Sequence, residues 1–189
     1  MRTRVTVIGS IWLAVMPLAS EALDLVPGRY AIMLQSQDGA ALDVGTLELG
    51  VSEQGQMSYE IDWDDSQFTD QFLSMRPFKC LDGARTQWCR VPYPYANKRE
   101  LSADDLTDLE YDLLFIWKKQ GEYGINMWNG AYYDLERSES GLRGVMNDMD
   151  MDILSAPPEE GNLRPVGAYD LELADPDSHW LPHVSIVLR

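Results

Sequence analysis

The sequence predicts an all-β protein: an antiparallel meander of roughly eight short strands that closes into a small barrel. Three observations carry this expectation. Turn residues (Gly, Asp, Asn, Pro) recur at intervals of roughly 8 to 12 residues. Between Met57 and Trp63 the chain alternates strictly, with Met57, Tyr59, Ile61 and Trp63 apolar and Ser58, Glu60 and Asp62 polar, the period of a half-buried strand. The chain also carries nine tyrosines and six tryptophans but few helical periods, a composition that favours strands.

In chain order, residues 1–22 read as a cleavable secretory signal. Met1-Arg2-Thr3-Arg4 is basic, Val5 to Leu18 carries no charge, and Ser20 and Ala22 put small residues at −3 and −1 of a cut after Ala22. The apolar run is short of the roughly 18 to 20 residues that span a bilayer. The expectation is a bacterial protein that is periplasmic or secreted, with no cysteine at the cut to carry a lipid and no membrane insertion after cleavage. Residues 23–189 are expected to form one domain.

Arg29 to Gln35 is predicted as a strand, and Gln37-Asp38-Gly39 turns the chain. Ala41 to Leu49 returns, with Gly45 marking a bulge or tight bend. Asp64-Asp65-Ser66 ends the alternating strand. The stretch from Phe68 to Lys79 contains Pro77, so it belongs at an edge or a bulge. Cys80 and Cys89 flank a tight Leu81 to Arg85 loop, and Pro92-Tyr93-Pro94-Tyr95 must be extended. Ser102 to Asp105 has the spacing of a capping box and predicts one short helix near residues 103–109. Tyr111 to Lys118 reads as a central strand. Ile125 to Trp128 is expected to pair with Ala131 to Arg137 across an Asn129-Gly130 turn. Leu142 to Leu154 reads as one long strand. Residues 155–182 are irregular and proline-rich, and His183 to Arg189 closes the sheet.

Two stretches carry a resemblance. Trp128-Asn129-Gly130, Tyr132-Tyr133-Asp134-Leu135 and Gly141-Leu142-Arg143-Gly144 resemble the closing hairpins of small lipocalin-like (calycin-like) bacterial periplasmic barrels. SMRPFKC, WCRVPYPY and DDLTDLEYDLLF are similar to a family of uncharacterised secreted proteobacterial proteins, over most of the chain after the signal. The resemblance implies a lipocalin-like barrel; it implies no activity and no catalytic residues.

The candidate sites follow from chemistry. Cys80 and Cys89 are the only cysteines, and in an exported chain two cysteines pair as a structural disulfide. With 15 basic against 31 acidic residues, the net charge of −16 argues against nucleic acid and anionic membranes as partners. Against that background Arg76, Phe78, Trp88, Arg90, Tyr93 and Tyr95 gather cationic and aromatic groups in one hairpin. Trp63, Trp117 and Trp128 are expected on strands, where they either line a pocket or fill the barrel. Asp148, Asp150 and Asp152 alternate with methionines, and His179 and His183 stand four apart; both are candidate metal ligands. No nucleophile elbow, phosphate loop, zinc-protease motif or dinucleotide fingerprint is present, so neither an enzyme nor a cofactor is expected. Two functions are therefore expected in order. The first is a non-catalytic periplasmic binding module for a small apolar or amphipathic ligand. The second is an envelope interaction or scaffold module that docks another protein through the Cys80–Tyr95 hairpin.

Overall fold

A computed structural model describes residues 25–73 and 77–189. The expected signal, residues 1–22, and the candidate Arg76 lie outside them. The strands are β1 (Gly28–Gln35), β2 (Ala41–Val51), β3 (Met57–Trp63), β4 (Thr69–Phe72), β5 (Pro77–Asp82), β6 (Thr86–Arg90), β7 (Glu100–Leu101), β8 (Phe115–Lys119), β9 (Gly130–Ser138), β10 (Gly141–Met149), β11 (Leu171–Leu173) and β12 (His183–Leu188). One α-helix, α1 (Thr107–Asp112), precedes β8.

All strands join one antiparallel sheet in the order β4-β5-β6-β8-β9-β10-β12-β1-β2-β3-β7, with β11 paired to β10. Apart from the short β7 and β11 and the break between β3 and β4, each strand lies beside its sequence neighbours. The meander is made continuous through the termini, because β12 pairs with both β10 and β1. Within the described residues one ladder is missing from a full circuit, the one between β3 and β4. The all-β class therefore holds, with one short helix. The sheet has 12 strands and is open, which differs from the expected closed ring of roughly eight. The residues between β3 and β4 explain the opening. Asp64 accepts from the Ser66 N–H at 3.0 Å and from its hydroxyl, which winds residues 65–67 into a 3-10 turn instead of a hairpin.

Alternation along the strands buries both faces of part of the sheet. One face contributes Tyr30, Ile32 and Leu34 of β1, Leu47 and Leu49 of β2, Trp88 of β6, Phe115 of β8, Tyr133 and Leu135 of β9, Leu142 and Met146 of β10, and Val184 and Ile186 of β12 to the main core. Each such side chain, fully buried, contributes about 1.5–3 kcal/mol. The opposite face of β5, β6 and β8–β10 forms a second core from Cys80, Cys89, Ile116, Tyr132 and Met149, covered by Tyr111, Met151 and Leu154. The register turns irregular at Ile32/Met33, where Ile32 faces Gly45 and Met33 faces Asp43. Val44 is the extra residue of this bulge, and it is fully buried. Gly45 is required because a Cβ there would lie 2.6 Å from the Asp62 carbonyl oxygen.

Four element boundaries differ from expectation. The stretch from Phe68 to Lys79, expected as one irregular strand, holds β4 and the start of β5, paired antiparallel with Phe72 opposite Pro77. Helix α1 begins at Thr107, because Asp105, not Ser102, accepts from the Thr107 N–H at 3.1 Å. Its last residues take Tyr111 and Asp112 out of the expected strand. Asn129-Gly130 is not a hairpin turn. Residues 127–129 form a 3-10 turn in which Asn126 accepts from the Trp128 N–H at 3.2 Å. Gly130 is fitted to close packing, since a Cβ would meet the Met151 side chain at 2.6 Å and the Met149 carbonyl at 2.7 Å. The expected long strand through Leu154 stops at Met149, where Asp150 caps a further 3-10 turn by accepting from the Asp152 N–H at 2.9 Å.

Candidate functional site

The segment that follows β6 builds two clefts. The Val91 N–H donates to the Leu114 carbonyl at 3.0 Å, and Pro92 and Pro94 keep the next residues extended. Tyr93 packs edge-on against Tyr95 and Tyr111 at 5.6 and 4.6 Å between ring centroids, and its hydroxyl donates to the Leu163 carbonyl. Asn97 then works on both sides of the chain. Its Nδ2 donates to the Asp108 carbonyl at 2.9 Å, and its Oδ1 accepts from the Arg99 N–H at 2.8 Å. That second bond holds Arg99 at φ +55°, the one non-glycine positive φ among the described residues, a conformation that L side chains adopt at a cost. The Arg99 carbonyl accepts from the Tyr59 N–H at 3.1 Å and ties the segment to β3.

The larger cleft, about 580 Å³, is lined by Tyr93, Asn97, Lys98, Glu100, Asp108 and Arg164 among others. Its charges are largely satisfied internally. Arg164 donates through Nη1 to Asp105 at 2.7 Å and through Nε to Asp108 at 2.9 Å. Burial alone would lower the pKa of Arg164, but the two aspartates outweigh burial and raise it. The hydrogen bond from Arg164 holds Asp105 below the usual carboxylate range.

The smaller cleft, about 260 Å³, lies at the opening beside β3. Ile61, Trp63, Arg90, Pro92, Tyr93, Arg99 and Asp112 contribute to its walls. The Arg90 guanidinium sits 4.1 Å from the ring centroid of Trp63 and 5.4 Å from that of Phe68. Trp63 in turn meets Phe68 and Phe115 edge-on at 5.9 and 6.1 Å. Burial lowers the Arg90 pKa to about 10, against the fields of Asp65 and Asp112, so it stays charged at neutral pH. Across the cleft the Tyr59 hydroxyl donates to Asp112 at 2.9 Å, and the Arg99 Nε lies 3.4 Å from the same carboxylate oxygen. Burial pushes the pKa of Asp112 up.

Behind these clefts Glu110 of α1 is buried beside β9. It accepts from the Leu135 N–H at 2.8 Å and the Tyr132 hydroxyl at 2.5 Å. Strand β8 pairs with β9 only at Phe115↔Ala131 and Ile116↔Gly130, so the Glu110 carboxylate takes the place of a neighbouring strand's carbonyl farther along β9. Burial raises its pKa.

The expected site residues separate into groups. Cys80 and Cys89 are bonded and stand opposite each other on β5 and β6. Trp63, Arg90 and Tyr93 come together at the smaller cleft. Phe78 and Tyr95 are half-buried, and Phe78 packs on the second core. Trp88 is only 1% exposed and belongs to the main core. Trp117 is half-buried on β8, and its Nε1 is buried with no partner among the described residues. Trp128 is 71% exposed, in a turn and not on a strand.

Of the candidate metal ligands, Asp148 faces inward with Leu142 and Met146, and its carboxylate lies 3.3 Å from His179 Nε2. His179 also meets the edges of Trp88 and Trp117 at 6.4 and 5.3 Å. Asp150 and Asp152 lie beyond the strand in the 3-10 turn, and His183 lies 3.2 Å from Gln37. Among the described residues no group of three or more His, Cys, Asp or Glu side chains is placed to hold a metal ion.

Sequence reasoning missed Asn97, Arg99, Asp108, Asp112 and Arg164 as site residues. The signal available for Arg99 was Lys98-Arg99, a basic pair in a strongly acidic chain. No protein-family model matches this chain, and no curated protein or solved structure matches it.

Proposed function

We propose that this protein is an exported, non-catalytic binding module that takes a small amphipathic ligand at the clefts flanking residues 91–101, without a cofactor. The observation that carries this reading is the pair of adjoining clefts, which share Tyr93 and combine aromatic walls with fixed charges. Ligand sites combine apolar walls with placed polar groups, and in these clefts the polar share is high, as an amphipathic ligand requires. The main core fills the inner face of the sheet with large side chains, which favours a surface site over a lumen and an amphipathic ligand over a purely apolar one. In this reading the fold is a lipocalin-like barrel left open between β3 and β4, from a family of secreted bacterial proteins. The Cys80–Cys89 bond supports a periplasmic or secreted location, where disulfides persist. Docking of an envelope protein through the Cys80–Tyr95 hairpin has less support, since Trp88 and both cysteines of that hairpin point into cores.

The test is native mass spectrometry of the protein purified from the periplasm or medium of the cells that export it. A co-purifying small molecule that leaves on mild activation supports the reading. A bare protein mass, together with stoichiometric capture of an envelope protein, overturns it in favour of docking.

A further inference from the structure

We propose that the smaller cleft is an anion-recognition subsite, in which Arg90, with Arg99 beside it, receives the carboxylate of a small amphipathic acid whose apolar part lies on Trp63 and Pro92. This rests on the binding-module reading and names the head group that the module selects.

The proposal starts from what Arg90 lacks. Arg29, Arg99, Arg143, Arg164 and Arg189 each meet a carboxylate within 3.4 Å. In a chain with 31 acidic residues such pairing is the default. Arg90 is more buried than the exposed members of that group, yet among the described residues no hydrogen bond or ion pair holds its guanidinium. Aromatic faces hold it instead. A partly desolvated cation ordinarily has a partner, because the loss of hydration needs an offset. Stacking on Trp63 supplies part of that offset, of the order of 0.5–2 kcal/mol. Stacking also leaves the in-plane N–H donors unused, and they form a flat fork that matches a carboxylate. Arg90 lines the cleft and is half-buried, not sealed in a core.

A second, independent observation comes from Arg99. The backbone is held at φ +55° by the Asn97 side chain, and this places a second guanidinium at the same cleft. The Asp112 carboxylate is engaged by Arg99 and Tyr59, and Arg90 meets it and Asp65 only through space, with no direct ion pair among the described residues. The cleft lining thus holds two arginines against one aspartate on an acidic protein, walled by Ile61, Trp63, Pro92 and Tyr93. Its volume of about 260 Å³ suits a head group with a short apolar portion, not a long chain.

Sodium octanoate is a suitable probe, with octanol as its uncharged match, followed by calorimetry and tryptophan fluorescence. Octanoate should bind at least tenfold more tightly than octanol. Arg90→Gln should weaken octanoate by about ten- to a hundred-fold, and Arg90→Lys should recover only part, since it restores charge without the fork. In the unmutated protein, bound octanoate should shield Arg90 and Arg99 from phenylglyoxal, read by peptide mass, while Arg29 and Arg143 react as before. This footprint stands even if the Arg90 variants do not fold. Equal binding of octanol and octanoate, undiminished by Arg90→Gln, overturns the anion assignment and leaves the binding-module reading intact. Absence of shielding at Arg90 at saturating octanoate also overturns it and assigns Arg90 to closing the sheet alone.

Discussion

From β8 round through β9, β10, β12 and β1 to β2, backbone hydrogen bonds hold the sheet, whereas between β3 and β4 side chains do the corresponding work. In the first region β9 and β10 match over nine consecutive pairs, and the strands approach so closely that Gly141 and Gly144 leave no room for a Cβ. In the second, Arg90 over Trp63 and Phe68, and Trp63 against Phe68, bridge the opening without a ladder. Backbone ladders are made from groups that every residue but proline carries, while a side-chain bridge can exchange its partners for water or a ligand. The continuous wall therefore sets stability, and the opening is where recognition can be built.

Four substitutions test this division, from the largest effect to the smallest. Gly141→Ala should do the most damage. Gly141 has φ +140°, and an added Cβ would lie 2.1 Å from the Ile186 carbonyl oxygen, at the junction of β10 with β12. A loss of about 3 kcal/mol or more is expected in urea unfolding; a loss under about 1 kcal/mol would show that the wall tolerates local separation. Replacing Cys80 and Cys89 together by serine should cost about 2–4 kcal/mol, because the bond both constrains the unfolded chain and sits in the second core. Here the free-thiol count before and after reduction verifies the starting state.

Arg90→Gln should cost only about 1 kcal/mol of stability. A cost as large as that of the disulfide would mean that the opening is as structural as the wall. The smallest effect is expected from Glu110→Gln, and it depends on pH. Burial raises the folded-state pKa of Glu110 above its unfolded value, so the unfolded chain releases this proton first as pH rises. Glu110 thus lowers stability progressively from the ordinary glutamate range up to its own raised pKa, beyond which the loss is complete. Glutamine can still accept from Leu135 and removes the titration. The variant should show a flatter urea midpoint against pH over that window, and an unchanged slope would place the carboxylate's proton elsewhere.

Strand content was legible because it depends on local alternation and turn chemistry: Met57–Trp63, the Gly45 bulge and the Cys80–Cys89 pair all appear where residue pattern places them. Closure was not legible, since it depends on whether two strands separated by Asp64–Gln67 find each other, and the Asp64 side chain decides that locally against a hairpin. Asn129-Gly130 misled because glycine serves two needs, positive φ and close approach, and only the packing of Met149 and Met151 shows which applies. In the candidate site, Trp63, Arg90 and Tyr93 were visible as an unusual cluster in an acidic chain. Arg164, 56 residues from Asp108, and the strained Arg99 owe their roles to contacts between distant segments that no local pattern records.

The pairing of β12 with β1 has a consequence for how the chain reaches this state. Residues 183–188 supply one neighbour of residues 30–35, so β1 cannot be paired on both edges until that distant segment joins it. Contacts between such remote segments slow folding, because the intervening chain must first be gathered in. Until residues 183–188 are in place, β1 keeps one edge of backbone donors and acceptors open to pairing with another chain.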